Sequence, residues 1–239
     1  FEFMSVFHFK KFSIQQGETA MKVGTDGVLL GAWVDGALIG DRVLDIGTGT
    51  GIIAIMLAQK NPEAQIDAIE RDENAFQQAT GNVAICPWSN NIHVYHIDLA
   101  QYLLSSSNAY STIVCNPPYF IKGWQVDNPG RKLARDAEHL PHDLLIAAAK
   151  QLLTVDGNLW IVLPKQEGEL FITTALQGEL YCCNKTQVFT KPGIAAKRLL
   201  LRFSNQKTVV EENELLIADE QNNYTDAYKA LTKDFYLNF

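Results

Sequence analysis

The chain has 239 residues, of which 47% are hydrophobic and 20% are charged, and its formal net charge is −7. Such a length favours one large domain or two small ones, with a core that needs no metal or disulfide. A negative net charge is not typical of nucleic-acid-binding proteins. No run approaches the about 18 apolar residues of a membrane-spanning helix, and no basic and apolar leader opens the chain, so we expect neither a membrane protein nor a signal peptide.

Short apolar runs alternate with helix-length stretches along the chain, which is typical of a parallel sheet with crossover helices. The predicted strands are 42–46, 66–70, 92–97, 111–115 and 158–163, completed by apolar runs at 186–189 and 198–203. The predicted helices are 28–33, 52–59, a polar helix through 82, and 140–153. The pattern predicts an α/β fold with a seven-stranded, mostly parallel sheet and helices on both faces. No repeat or linker is found, so we expect one domain over 1–239, with residues 1–3 before Met4 an addition to it.

A glycine-rich loop follows the first predicted strand and precedes a helix. Its residues Asp45, Gly47, Gly49 and Gly51 form a D-x-G-x-G-x-G pattern. Glycines let the backbone turn sharply and approach a ligand beside the positive end of a helix. The third glycine comes one residue early for the dinucleotide fingerprint, and there is no Lys-Ser/Thr pair of a P-loop. The pattern resembles the first motif of class I S-adenosylmethionine-dependent methyltransferases, which implies a Rossmann-like fold and a loop beneath the amino-acid portion of that cofactor.

Acidic residues end the next two predicted strands. Glu70 closes the second strand, where a carboxylate can accept hydrogen bonds from two vicinal ribose hydroxyls, although it could instead be a strand-end acid in water. Asp98 follows the third strand, and the resemblance implies that it accepts a hydrogen bond from the adenine amino group of the cofactor. Asp98 could also be the N-cap of a helix that begins at Leu99, and both roles can hold together.

The tetrapeptide Asn116-Pro117-Pro118-Tyr119 follows the fourth strand, at the carboxyl edge where open α/β sheets bind ligands. Alone, it could be a stiff turn. Together with the glycine loop, it resembles the amino-methyltransferases, which methylate a nitrogen conjugated to an aromatic ring or an amide. We expect the Asn116 side-chain oxygen and the Pro117 carbonyl to accept hydrogen bonds from the amino group, which directs its lone pair toward the methyl group. Tyr119 is expected to stack on the base.

Segments outside these motifs indicate which subfamily of amino-methyltransferases the chain resembles. Residues 22–33, 131–139, the strand that ends at Pro164 and residues 197–202 resemble the bacterial tRNA1(Val) adenine-N6 methyltransferases. Those enzymes modify the adenine next to the anticodon, and the resemblance covers residues 9–203.

The resemblance also implies that the segment before the first strand, residues 9–40, helps to close the cofactor pocket. Lys22, Thr25 and Asp26 would take this role. Thr25 and Asp26 could instead form a cap and turn before the helix predicted at 28–33, since both residue types favour caps.

Positive charge is concentrated in two segments despite the acidic total. Residues 122–135 carry a local charge of +3 and residues 191–202 carry +4, whereas the tail from residue 203 carries −4. A local positive field can attract a polyanion such as tRNA, although an ordinary solvated face is the alternative. The candidates for RNA phosphate contacts, some of which could only edge the sheet, are Arg131, Lys132, Arg135, Lys197 and Arg198. Phe120 and Trp124 could shape the base pocket or merely pack.

We therefore expect a tRNA adenine-N6 methyltransferase that uses S-adenosylmethionine, and other functions stay open. A glutamine-amide methyltransferase of a release factor also uses Asn-Pro-Pro-Tyr, but usually has an N-terminal helical domain, and 40 residues precede Asp41 here. DNA adenine methyltransferases usually carry a target-recognition domain, and Tyr119 is less typical of rRNA guanine-N2 methyltransferases. A nucleotide-binding module or an NAD-dependent dehydrogenase fits neither the glycine spacing nor the intact tetrapeptide.

The cysteines and histidines indicate the compartment in which such an enzyme acts and whether it binds a metal. The four cysteines form no C-x-x-C pair and fit no zinc spacing, which indicates the reducing cytoplasm. The five histidines show no ligand pattern and are interpreted as structural, so we expect no metal. We further expect tRNA as the partner, no membrane, and a monomer or weak homodimer.

Overall fold

The protein, described by a computed structural model over residues 6–17, 23–107, 109–118 and 140–238, contains a two-stranded hairpin and an eight-stranded sheet. The hairpin strands are β1 (Val6–His8) and β2 (Ser13–Gln15). The strands of the large sheet are β3 (Arg42–Ile46), β4 (Gln65–Glu70), β5 (Ile92–His96), β6 (Tyr110–Cys115), β7 (Leu153–Pro164), β8 (Tyr181–Phe189), β9 (Arg198–Ser204) and β10 (Glu211–Leu216). The described helices are α1 (Thr25–Trp33), α2 (Ile52–Lys60), α3 (Glu73–Ala84), α4 (Leu99–Ser105), α5 (His142–Leu152), α6 (Lys165–Gln177) and α7 (Asp226–Thr232).

The large sheet is mostly parallel, with the strand order β10-β8-β9-β7-β6-β3-β4-β5. β9 pairs antiparallel with β7 and β8, and the other neighbouring pairs are parallel. Side chains alternate between the two faces of the sheet, and on the central strands both faces are buried in a hydrophobic core. Val43 and Val114 belong to the core that α1, α2 and α3 cover, whereas Leu44 and Ile113 belong to the core that α4, α5 and α6 cover. The predicted fold class is confirmed.

The sheet has one strand more than predicted. β10 pairs in parallel with β8 at the edge of the sheet. Its sequence is Glu-Glu-Asn-Glu-Leu-Leu, and only Leu215 is buried, so no apolar alternation marks it as a strand. The acidic tail continues into α7, whose Tyr228 packs in the same core as Phe9 and Ile14 of the N-terminal segment.

Several element boundaries also differ from the predicted ones. α1 begins three residues early, at Thr25, and β8 begins five residues early, at Tyr181. Half-buried residues in β8 weaken its apolar pattern. β7 begins at Leu153, directly after α5, and Gly157 lies within a register shift against β6. A Cβ atom at Gly157 would lie only 2.8 Å from the carbonyl oxygen of Tyr110, which explains the glycine.

Within the described part of the chain, no helix is long and apolar enough to cross a membrane. No group of three His, Cys, Asp or Glu side chains there is arranged to hold a metal ion. The four cysteines, Cys86, Cys115, Cys182 and Cys183, are free thiols.

Candidate active site

The glycine loop leaves β3 at the carboxyl edge of the sheet and leads into α2. Gly47, Gly49 and Gly51 have φ angles of +69°, +57° and +81°, a region that residues with a Cβ atom rarely adopt. The amides of Gly47 and Thr48 donate to the carbonyl of Ile69 in the neighbouring strand. A Cβ atom at Gly47 or Gly49 would meet no atom of the described chain within 4 Å. The loop backbone therefore borders open space, as a ligand-binding loop requires.

Asp45 supports this loop from beneath. Its Oδ2 accepts hydrogen bonds from Thr48 Oγ1 at 2.6 Å and from the amide of Ala54 at 3.2 Å. Its Oδ1 is buried and has no partner among the described residues. Burial raises the pKa of Asp45 to about 7, against the opposing effect of the two hydrogen bonds and with a smaller contribution from the nearby charge of Glu70. Asp45 thus holds the loop and keeps one acceptor atom available.

Glu70 joins the glycine loop to the start of α3. Its Oε2 accepts from the amide of Gly49 at 2.9 Å, and its Oε1 accepts from the amides of Arg71 at 2.8 Å and Asp72 at 2.9 Å. The residue is 9% exposed, so it is not a strand-end acid in water. A carboxylate has about four acceptor positions, and three are used, which leaves room for one further donor. Its contact with ribose hydroxyls stays a prediction.

Asp98 directly precedes α4, the position that its predicted N-cap role requires. Its Oδ1 accepts from the amide of Gln101 at 2.8 Å, which confirms the N-cap interpretation. The side chain is half-buried. The other predicted role, acceptance from an adenine amino group, stays a prediction.

Asn116 lies beside the glycine loop, because Cys115 of β6 pairs with Ile46 of β3 and the two loops leave adjacent strand ends. Pro117 is buried and restricts the backbone after Asn116. The Oδ1 atom of Asn116 is buried and accepts no hydrogen bond from any part of the chain that the structure describes. Buried amide oxygens are usually satisfied, so an N–H donor from a ligand is the expected partner.

The sequence comparisons agree with this geometry. Residues 24–190 match the methyltransferase small domain family. The tRNA1(Val) (adenine(37)-N6)-methyltransferase of Flavobacterium psychrophilum is 45% identical, over 97% of this chain and 99% of that protein. The enzyme of the same name from Pasteurella multocida is 44% identical, over 98% of this chain and 97% of that protein. The chain belongs to the tRNA1(Val) (adenine(37)-N6)-methyltransferase family.

A solved structure of low sequence identity shares the fold of this methyltransferase. The predicted O-methyltransferase of Agrobacterium tumefaciens superposes with a TM-score of 0.68 at 17% identity. The match covers 88% of this chain and 96% of that one. The Rossmann-like class of the fold is therefore shown.

The start of α1 does not use the predicted cap. The N-cap residue is Gly24, which has no side chain, so neither Thr25 nor Asp26 caps the helix. Thr25 is exposed, whereas the Asp26 carboxylate accepts from Nε of Arg198 at 2.9 Å. Lys197, which precedes Arg198, is exposed and turned toward solvent. The predicted roles of Thr25 and Asp26 in closing the cofactor pocket, and of Lys197 and Arg198 in phosphate binding, stay predictions.

Asn82 is a site residue that the sequence analysis missed. It is fully buried in α3, and its Oδ1 accepts from the amide of Gln15 at 2.8 Å. Its Nδ2 donates to the carbonyls of Gln15 and Thr50, both at 2.9 Å. Asn82 therefore ties β2 to the glycine loop of this methyltransferase. The sequence did contain one indication of this role. Asn82 follows Ala75 and Ala79 at helical spacing, which puts its amide on the buried face of an otherwise polar helix.

Other predicted site residues lie outside the described residues. They are Lys22, Tyr119, Phe120, Trp124, Arg131, Lys132 and Arg135. Their roles stay predictions.

Proposed function

We propose that this methyltransferase transfers the methyl group of S-adenosylmethionine to N6 of adenine 37 in tRNA1(Val). The observation that carries the proposal is the buried Oδ1 of Asn116, which has no hydrogen-bond partner among the described residues and lies beside a glycine loop that borders open space. Relatives that match nearly the full chain and carry this activity in their names support the substrate.

The residues around the loop fit S-adenosylmethionine. Its amino-acid portion carries N–H donors, which suit Oδ1 of Asp45, an atom without a hydrogen-bond partner in the part of the chain that the structure describes. The remaining acceptor position of Glu70 suits a ribose hydroxyl, and the half-buried carboxylate of Asp98 suits an adenine amino group. When bound, S-adenosylmethionine supplies an electrophilic methyl group. The residues that would hold it are Asp45, Gly47, Gly49, Gly51, Glu70 and Asp98, with Lys22, Thr25 and Asp26 closing the pocket.

Asn116 and Pro117 activate the acceptor nitrogen. The lone pair of adenine N6 is delocalised into the ring, which makes this nitrogen a poor nucleophile. Two oxygen acceptors, the Asn116 side chain and the Pro117 carbonyl, draw its two N–H groups out of the ring plane and localise the lone pair. Holding the nitrogen in line with the methyl group supplies much of the remaining acceleration. The extra proton leaves after transfer, so no dedicated base is needed.

Recognition of the tRNA requires stacking and phosphate contacts. We assign base stacking to Tyr119, with Phe120 and Trp124 around the base, and phosphate contact to the exposed Lys197. Further phosphate contacts are assigned to Arg131, Lys132 and Arg135. Because the proposed substrate is tRNA, we propose that the enzyme acts in the cytoplasm, as a monomer or weak homodimer.

The experiment uses the full chain, labelled S-adenosylmethionine and two transcripts of tRNA1(Val) that differ only at position 37. Nucleoside analysis should find N6-methyladenosine in the transcript with adenine 37 and no label in the transcript with guanine 37. Equal labelling of both transcripts would contradict the assigned position. In a parallel reaction that also contains ribosomal RNA and a release factor, label found only in those two substrates would contradict the tRNA substrate.

A further inference from the structure

The first turn of α1 covers the catalytic amide. A Cβ atom placed on Gly27 would lie 3.8 Å from Nδ2 of Asn116 and 3.6 Å from Cγ2 of Ile52. Gly27 is buried, and Ile52 begins the helix that follows the glycine loop. A displacement of α1 would therefore change the wall against which the Asn116 side chain is held.

One ion pair attaches this turn to the far side of the site. Nε of Arg198 lies 2.9 Å from Oδ2 of Asp26, which directly precedes Gly27. The two residues are 172 positions apart in sequence. Arg198 begins β9 and pairs there with Pro164, the last residue of β7. The pair therefore bridges α1 and the carboxyl end of the neighbouring β7, with Asn116 following β6 on the other side of β7.

The surroundings favour a stable contact. The side chains of Arg198 and Asp26 are 26% and 18% exposed, so solvent screens the pair less than it screens a surface pair. Asp26 lies in the first turn of α1, where the helix dipole favours a negative charge. Arg198 also donates to the carbonyl of Lys197 at 3.1 Å, which orients its guanidinium along the strand start.

We propose that the Asp26–Arg198 ion pair is a positioning contact that holds α1 against Asn116, and that Arg198 acts on turnover rather than by binding RNA phosphate. The inference rests on the proposed function, since its readout is methyl transfer to tRNA. It separates two neighbouring cations that the sequence could not distinguish: Lys197 faces solvent, whereas Arg198 is engaged with Asp26.

The test compares Asp26→Asn, Arg198→Gln and the double variant by kcat, by KM for tRNA and by the salt dependence of KM. Each single variant should lower kcat about tenfold or more, because small misplacements of catalytic groups are costly. The double variant should be no worse than either single one, because both remove the same contact. Arg198→Lys should recover part of kcat. The salt dependence of KM should stay at the wild-type value in every case.

Two comparison variants sharpen the result. Lys185→Gln breaks another ion pair with the same 2.9 Å separation, which joins β8 to Glu169 of α6 and does not involve α1, and should leave kcat unchanged. Lys197→Gln should raise KM and reduce its salt dependence by about one phosphate contact.

The proposal fails if Arg198→Gln behaves like Lys197→Gln while Asp26→Asn keeps the wild-type kcat. It also fails if the losses in the two single variants multiply in the double variant. Failure of the proposed function is distinct from these results, because the wild type itself would then transfer no methyl group to tRNA.

Discussion

The buried Asp45 makes a measurable prediction about stability and pH. Its pKa is raised from an ordinary value of 3.8 to about 7, chiefly by burial, so the folded protein keeps this proton up to about pH 7 while the unfolded chain releases it near 3.8. The unfolded state therefore binds fewer protons between these values, and the free energy of unfolding falls as pH rises. Each pH unit in this window costs about 1.36 kcal/mol, so the two units from pH 5 to about pH 7 give a loss of about 3 kcal/mol. Little further change is expected between pH 7 and pH 8, because the carboxyl group is then mostly ionised in both states.

The measurement is urea unfolding of the ligand-free wild type and of Asp45→Asn at pH 5 and pH 8. The asparagine oxygen can still accept from Thr48 and Ala54, but the side chain does not titrate. The fall between the two pH values should therefore be about 3 kcal/mol smaller in the variant. Asp41→Asn, at an exposed position before the same strand, is the control and should follow the wild type. Parallel pH profiles for the wild type and Asp45→Asn would refute the reasoning.

Three further predictions concern the supports of the site. Asp98→Ala should lower the free energy of unfolding by about 1 kcal/mol, whereas Asp98→Ser keeps a helix cap and should leave it unchanged. Both variants should weaken the binding of S-adenosylhomocysteine in calorimetry. Normal binding by the serine variant would contradict the contact with adenine. Asn82→Ala should cost about 3 kcal/mol of stability, because it leaves the loop carbonyl of Thr50 without its donor, and should weaken the same binding. Gly31→Ala should be less stable than Gly27→Ala by about 1–3 kcal/mol in urea unfolding, since overpacking is costly. The added Cβ would lie 2.8 Å from Met56 Sδ at Gly31, but 3.6 Å from its nearest neighbour at Gly27, and equal stability would contradict this contact.

The central strands could be predicted because burial on both faces leaves a continuous apolar run in the sequence. Val43 and Leu44 face opposite cores, so β3 is apolar at consecutive positions. β10 could not be predicted in this way, because its side chains are mostly exposed and acidic. Its backbone is held in the sheet by parallel pairing with β8, which the local sequence does not reveal.

The site residues also differ in whether the local sequence could predict them. Asp45, Glu70 and Asn116 were predictable because each lies near or directly after the end of a recognisable strand and carries a side chain whose chemistry suits one task. The contact between Asp26 and Arg198 was not predictable, because it joins residues 172 positions apart and nothing local to either residue marks the other. The tie from Asn82 to Thr50 depends in the same way on how α3 packs on the loop.

The central claim is that Asn116 acts on the acceptor nitrogen and not on the cofactor. The most direct measurement is single-turnover methyl transfer to tRNA1(Val) by Asn116→Ala, together with calorimetric binding of S-adenosylhomocysteine to the same protein. We expect transfer to be lost while the affinity for S-adenosylhomocysteine stays near the wild-type value, because the lost contact is made in the transition state. Transfer at the wild-type rate, or a loss of transfer that is fully explained by lost cofactor binding, would contradict the account.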